Sequence, residues 1–298
     1  MAPSSTDRII DVHTHVSYHD VGIAEAVRNM DAAGIDVGWL LTWEAPLDEY
    51  GEADHVAMSP HQLGIPFSDN LQAVERYPER FVLGWAIDPR RHHAIERLRS
   101  AVKMYGVRVY GELKLRIMYD DLDMIEMFQA CGELGLPVLF HLEIELPNPG
   151  GRTTSGAGGG RRYWYGGEFD VLERMLAKCP DTTFIGHASG FWREISGDAT
   201  TTHEMYPHGP VQPGGRLLPL LDRFPNLYCD LSAGSGLNAM ARDLDHARRF
   251  ILDYQDRVLF GRDYWDNKLM DLLTGLDLPP AVRTKLFSAN ALRLVPLA

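Results

Sequence analysis

The chain has 298 residues, 45% hydrophobic and 23% charged, a balance too apolar for a disordered segment and long enough to bury a large core. Lys plus Arg number 29 against 41 Asp plus Glu, and the resulting net charge of −12 opposes electrostatic binding of nucleic acid. Three scattered cysteines, Cys131, Cys179 and Cys229, contain no C-x-x-C pair and argue against a disulfide framework or a cysteine zinc site. The opening residues carry no basic and then apolar leader, and no run reaches the roughly 18 apolar residues of a membrane span. A cytoplasmic protein in a reducing compartment is expected, with a small molecule rather than nucleic acid or membrane as its partner. A homodimer is the default assembly.

Short β-rich apolar runs alternate with amphipathic helical patterns, the signature of βα units around a parallel sheet. Strand one covers Arg8 to His13 and is followed by a helix over Asp20 to Ala33 that stops at Gly34. Strand two is Val37 to Thr42; a long loop and a helix near Asp69 to Tyr77 lead to strand three, Phe81 to Ile87. A helix from Arg91 to Tyr105 precedes strand four, Val107 to Leu115, and one from Asp120 to Leu134 precedes strand five, Pro137 to Leu142. Glu168 to Lys178 leads into strand six, Thr183 to His187, and Arg216 to Phe224 into strand seven, Leu227 to Leu231. The helix Ala241 to Tyr254 precedes strand eight, Arg257 to Gly261, and Pro280 to Leu292 closes the ring. At about 37 residues per unit this is a (β/α)8 TIM barrel, an α/β fold read as one domain over residues 1–298 with long loops after strands two, five and six.

Enzymes on this fold place their chemistry at the C-terminal ends of the strands. In Asp11-Val12-His13-Thr14-His15 the period of two puts Asp11, His13 and His15 on one face. His141 and Glu143 repeat that spacing at the end of strand five, His187 ends strand six, and Asp263 follows strand eight. Imidazoles and a carboxylate in this number suit zinc or a similar divalent ion. On strand four, alternation places Arg108, Tyr110, Glu112, Lys114 and Arg116 on one face, leaving Val107, Val109, Leu113 and Leu115 toward the helices.

The order Asp11-Val12-His13-Thr14-His15, Gly111-Glu112-Leu113-Lys114-Leu115, Phe140-His141, Ile185-Gly186-His187 and Phe260-Gly261-Arg262-Asp263 resembles the amidohydrolase superfamily. Within it the match is to the branch that includes aminocarboxymuconate-semialdehyde decarboxylase. The resemblance implies that His13, His15, His141 and Asp263 bind a metal and that His187 is a catalytic histidine. It also implies one divalent ion, Zn2+ or alternatively Mn2+. Members with two ions bridge them near strand four, a role open to Glu112 or Lys114; the other reading is an internal Glu112–Lys114 ion pair, which leaves one ion as the working count. Two positions depart from the family pattern: Arg262 stands where a small residue is usual, and Ala188-Ser189 where glycines typically follow the strand-six histidine.

A metal-activated water would act on an amide, lactone or ester of a small anionic or aromatic molecule, with Asp263 accepting its proton and His187 orienting it or stabilising the developing oxyanion. The alternative is non-oxidative decarboxylation of an aromatic or unsaturated acid. A barrel that has lost its activity has no need of this residue set. Arg161, Arg162 and Trp164 after strand five, and Trp192 and Arg193 after strand six, are expected to contact substrate. Neutralising Arg161 and Arg162 together should then raise KM for an anionic substrate. Trp43 and Glu44 end strand two as pocket or packing residues, and His203 and His208 read as loop residues.

Overall fold

The computed structural model describes residues 8–49, 64–144, 164–202 and 204–297. Eight short parallel strands form the inner layer: β1 Ile10–Thr14, β2 Val37–Leu40, β3 Phe81–Leu83, β4 Tyr110–Leu113, β5 Val138–His141, β6 Phe184–His187, β7 Leu227–Asp230 and β8 Val258–Leu259. They pair in the order β1-β2-β3 and β4-β5-β6-β7-β8. The parallel bridge between Gly84 and Val109 joins the two sets, and Val12 N–H donating to Phe260 O joins β8 to β1. The ring is closed, which removes every open sheet edge.

One apolar cluster touches all eight strands, through Ile10, Trp39, Val82, Val109, Leu139, Ile185, Tyr228 and Leu259. Only the barrel interior can do that, so these side chains plug it beneath the strand ends. Ala291 and Val295 of the C-terminal helical segment pack against the plug. A second cluster fills the space between barrel and helices. Among its helices are α1 (Ile23–Ala33), ended by Gly34 at φ 69°, α2 (Phe67–Arg76), α3 (Ala94–Tyr105), α4 (Leu122–Glu133) and α5 (Phe169–Lys178). A left-handed C-cap of this kind favours glycine.

The helix expected over Ala241 to Tyr254 runs from Leu244 to Asp253, and a separate helix that was not expected, Ala233–Ala241, precedes it. Asp243 sets the later start by capping the second helix, its side chain accepting from His246 N–H. Among the described residues no helix is long and apolar enough to cross a membrane.

Strict alternation fails on two strands. The pairing register shifts between Asp11 and Thr14 and again between Tyr110 and Leu113. Asp11 therefore leaves the face of His13 and His15 and accepts from the backbone N–H and Nε of Arg262, at 2.9 and 2.8 Å. On β4 the assignment of faces is corrected in the same way. Val109 points into the barrel plug, whereas Tyr110 lies in the outer cluster and donates to Ile87 O. An extra residue at each shift changes which face the following side chain takes.

Candidate metal centre

The C-terminal strand ends bring His13, His15, Glu112, His187 and Asp263 to one point above the plug. His13 Nε2 and His15 Nε2 lie 3.3 Å apart. Asp263 Oδ1 is 3.6 Å from the first and 3.2 Å from the second. Glu112 Oε2 is 3.7 and 3.6 Å from the same two nitrogens. Ligands held at roughly 2.1 Å around a tetrahedral ion sit about 3.4 Å from one another, so this set has the spacing of a coordination shell.

Proton positions follow from the outer partner of each imidazole. His15 Nδ1 faces Leu41 O at 3.0 Å, and a carbonyl only accepts, so Nδ1 carries the proton. His13 Nδ1 faces Asp230 Oδ2 at 2.7 Å, and His141 Nδ1 faces Glu112 Oε1 at 2.6 Å. His187 Nδ1 faces Ser232 Oγ at 2.9 Å and Asp230 Oδ2 at 3.3 Å. In the neutral form all four histidines thus carry a bare Nε2. Two bare lone pairs at the His13–His15 distance repel unless a cation lies between them. The Nδ1 contacts are the outer hydrogen bonds that fix metal-binding histidines.

Electrostatics make the same demand. Burial disfavours charge on His13, yet Asp263, Asp230 and Glu112 outweigh it and hold its pKa well above the usual imidazole range. Burial also pushes Glu112 and Asp263 up, but the neighbouring histidines prevail, leaving Glu112 well below the carboxylate range and Asp263 at about 2. His187 is driven down to about 4, by burial first and His13 second. The centre is a buried surplus of carboxylate that calls for a cation.

His141 stands beside this group. Among the described residues, the two sets with donor atoms mutually within 4.8 Å are His13, His15 and Asp263, and His13, Glu112 and His187. His141 Nε2 is buried without a hydrogen-bond partner, 3.5 Å from Glu143 Oε2. The expected Glu112–Lys114 ion pair is replaced: Glu112 engages the histidines, and Lys114 Nζ sits 3.6 Å from the centroid of the Trp43 ring.

A cavity of about 270 Å³ opens on the centre, walled by Tyr18, Trp43, Tyr206 and Tyr264, with Glu143 and Ser189 at one side. The backbone is unusual around it. Ala188, Ala233 and Asp263, each just past a strand end, have φ of 81°, 60° and 62°. Left-handed conformations at non-glycine residues concentrate where surrounding structure imposes a site. Gly261 is required by close approach: a Cβ there would lie 2.7 Å from Asp230 Oδ1.

The residues expected to contact substrate are distributed differently. Trp192 is buried behind β7 and donates from Nε1 to Asp230 O, and Arg193 is buried with Nη2 on Thr202 O. Neither lines the cavity, because the chain turns inward at Ser189–Trp192 and packs these side chains under the loop. Trp164 is half-buried and also outside the lining residues. Arg161 and Arg162 lie outside the described residues, as does His203. Sequence reasoning missed Asp230 and Ser232. Asp230 ends β7 as His187 ends β6, so the strand-end rule could have found it.

A family profile described as Amidohydrolase matches residues 10–297. The chain belongs to the amidohydrolase family. A sequence search of curated proteins returned no match. Solved structures similar to this amidohydrolase include an uncharacterised TIM-barrel protein from Bordetella bronchiseptica, with 18% identity over 97% of this chain and 98% of that one and a TM-score of 0.61. A dihydroxybenzoic acid decarboxylase from Polaromonas, with bound manganese and 2-nitroresorcinol, shares 19% identity over 96% of both chains at a TM-score of 0.56. A probable 2-pyrone-4,6-dicarboxylic acid hydrolase from Acinetobacter baumannii, with citric acid bound, shares 12% over 96% of this chain and 98% of that one at 0.57. At these identities the likeness concerns the fold. These neighbours include enzymes of both kinds, and this amidohydrolase has the barrel they share.

Proposed function

We propose that this amidohydrolase is a metal-dependent hydrolase of an amide, lactone or ester in a small, single-ring anionic molecule. The observation that carries the reading is the convergence of the bare Nε2 atoms of His13 and His15 on Asp263 inside a buried surplus of carboxylate. One divalent ion, Zn2+ or Mn2+, would be held by His13, His15, Asp263 and the unpartnered Nε2 of His141. Such an ion supplies a Lewis acid for a carbonyl and lowers the pKa of water.

The protein's own groups supply the proton transfers. Asp263 turns Oδ1 to the histidine pair and Oδ2 toward His187 Nε2, at 3.9 Å. Oδ2 accepts a proton from the attacking water and returns it to the leaving group. His187, neutral and with its Nδ1 held by Ser232, orients that water through Nε2. Closing the site in apolar walls strengthens each of these interactions.

A second reading is non-oxidative decarboxylation of an aromatic acid. It is favoured by the flat aromatic walls, where Tyr18 and Tyr264 stack at 6.1 Å and 29°, and by the fold shared with a dihydroxybenzoic acid decarboxylase. The test is a product assay on metal-replete protein, before and after chelation. Acid production from ring lactones, esters and amides, lost on chelation and restored by Zn2+ or Mn2+, supports hydrolysis. Carbon dioxide release from hydroxybenzoates alone transfers the reading to the decarboxylase. Turnover indifferent to chelation overturns both. Metal content of the His141→Ala and Glu112→Gln variants separates ligand from supporting carboxylate, the expected result being loss of the ion in the first.

A further inference from the structure

We infer that Arg262 is a positioning residue of the metal centre: by gripping Asp11 it locks the seam between β1 and β8 and so sets the separation of His13 from Asp263. This rests on the metal-dependent reading above and adds to it a residue outside the cavity lining that tunes how tightly the ion is held.

The seam is built from the ligands outward. Asp263 N–H donates to His13 O at 2.8 Å, which ties the two residues through the backbone. Asp11 Oδ1 accepts from His13 N–H at 3.2 Å and from Arg262 N–H at 2.9 Å. One carboxylate oxygen therefore bridges the residue that bears the imidazole and the residue next to the second carboxylate. Arg262 Nε donates to the other oxygen, Oδ2, at 2.8 Å and fixes the rotation of that bridge. At the far end of the guanidinium, Nη1 donates to Asn29 Oδ1 on α1 at 2.9 Å, and Asn29 Nδ2 donates to Trp265 O, also at 2.9 Å. Arg262 thus pins the seam to the helical layer and to the loop that follows β8.

Little in this assembly can shift without moving a ligand. Asp11 is fully buried and Arg262 is 4% exposed. A Cβ on Gly261 would lie 3.0 Å from His13 Cβ, so the β8 backbone already stands against the base of that side chain. Asp263 holds φ 62°, a conformation that persists only where the surrounding structure imposes it. His13 Nε2 and Asp263 Oδ1 stand 3.6 Å apart, and metal–ligand distances tolerate about 0.2 Å, so a small slip of the seam takes one of them off the ion. A pair that only closed the barrel could be exchanged for an uncharged pair of like shape with no effect on the centre.

The experiment measures zinc affinity by competition with a chromophoric chelator, the visible absorption of the Co2+-loaded protein, and the urea midpoint of the metal-free protein. It compares wild type with Arg262→Met combined with Asp11→Asn, and with Asn29→Ala. The double variant removes both charges at similar volume and leaves no buried ion unpaired, whereas Asn29→Ala keeps the Asp11–Arg262 pair and takes away its outer anchor. In the double variant zinc affinity should fall about tenfold or more, as for other partners that orient metal ligands. The Co2+ bands should change with it, while the metal-free urea midpoint stays close to that of wild type. Asn29→Ala should lose about fivefold, being one contact further from the ion. Zinc affinity within twofold of wild type in the double variant, with unchanged Co2+ bands, overturns the proposal and leaves Arg262 a closure of the barrel. A fall in affinity that only tracks a fall in the metal-free midpoint overturns it too, because general loosening then explains both. In Asn29→Ala, an affinity indistinguishable from wild type overturns it whether or not the double variant folds. Failure of the metal reading looks different: wild type that takes up no stoichiometric zinc or Co2+ sinks that reading before any variant is compared.

Discussion

Asp230 is the carboxylate on which two of the four histidines depend, and Asp230→Asn is the sharpest perturbation of the centre. Oδ2 accepts from His13 Nδ1 at 2.7 Å and from Ser232 Oγ at 2.7 Å, and lies 3.3 Å from His187 Nδ1. Oδ1 accepts from Ser232 N–H at 2.9 Å. An asparagine has the same shape and one acceptor fewer. With its NH2 in the Oδ2 position it meets the proton of His13 Nδ1; with its NH2 in the Oδ1 position it meets Ser232 N–H. In the first orientation His13 is pressed toward the tautomer that blocks Nε2, the atom aimed at the ion; in the second His13 keeps its acceptor and the clash falls on Ser232 N–H. Removing such an outer carboxylate costs about 10–100-fold in metal affinity. The upper end is expected here because one carboxylate serves two imidazoles, and 100-fold corresponds to about 2.7 kcal/mol. Competition with a chromophoric chelator at fixed pH measures the affinity, and the difference between metal-loaded and metal-free unfolding free energies should shrink by a similar amount. An Asp230→Asn protein that binds zinc within twofold of wild type would refute the orientation argument.

Arg262 and Asp11 form a buried pair, both side chains 1% exposed, linked at 2.8 Å. Arg262→Ala strands the Asp11 carboxylate and should cost about 3–5 kcal/mol in urea unfolding, whereas Arg262→Met combined with Asp11→Asn should recover most of it; a single variant as stable as wild type contradicts the pair. Ala188 holds φ 81° and ψ 176°, a conformation nearly confined to glycine. Ala188→Gly should therefore stabilise by about 1 kcal/mol after the entropy of glycine is subtracted, and a lower urea midpoint would show the backbone is not strained. Cys131, Cys179 and Cys229 are buried, and burial pushes all three thiols up, Cys179 to about 11. Native protein at pH 8 should leave Ellman's reagent unreacted until unfolding exposes three thiols.

Much of the fold was legible because its signals are local. Alternating apolar runs, Gly34 at the end of α1 and the polar residues ending β1, β5, β6 and β8 all follow from neighbours in the chain. Asp243 shows the limit of periodicity: the apolar pattern looks continuous from Ala241, and a side-chain cap moves the start of the helix to Leu244. Trp192 and Arg193 fall outside the cavity lining for another reason. Proximity to His187 in sequence says nothing of whether a turn carries a side chain over the cavity or beneath it.

The sequence by itself determined the periodicity of eight βα units, the strand-end histidines and the carboxylate after β8, since these depend on period-two patterning and on residue chemistry. Tertiary structure alone decided which of them meet. His13 and Asp230 are 217 positions apart, and Arg262 reaches Asp11 over 251. Barrel closure makes them neighbours, and the register shifts on β1 and β4 choose which side chains face inward. Local spacing cannot encode either result, because a one-residue slip between paired strands exchanges the two faces while leaving the sequence pattern unchanged.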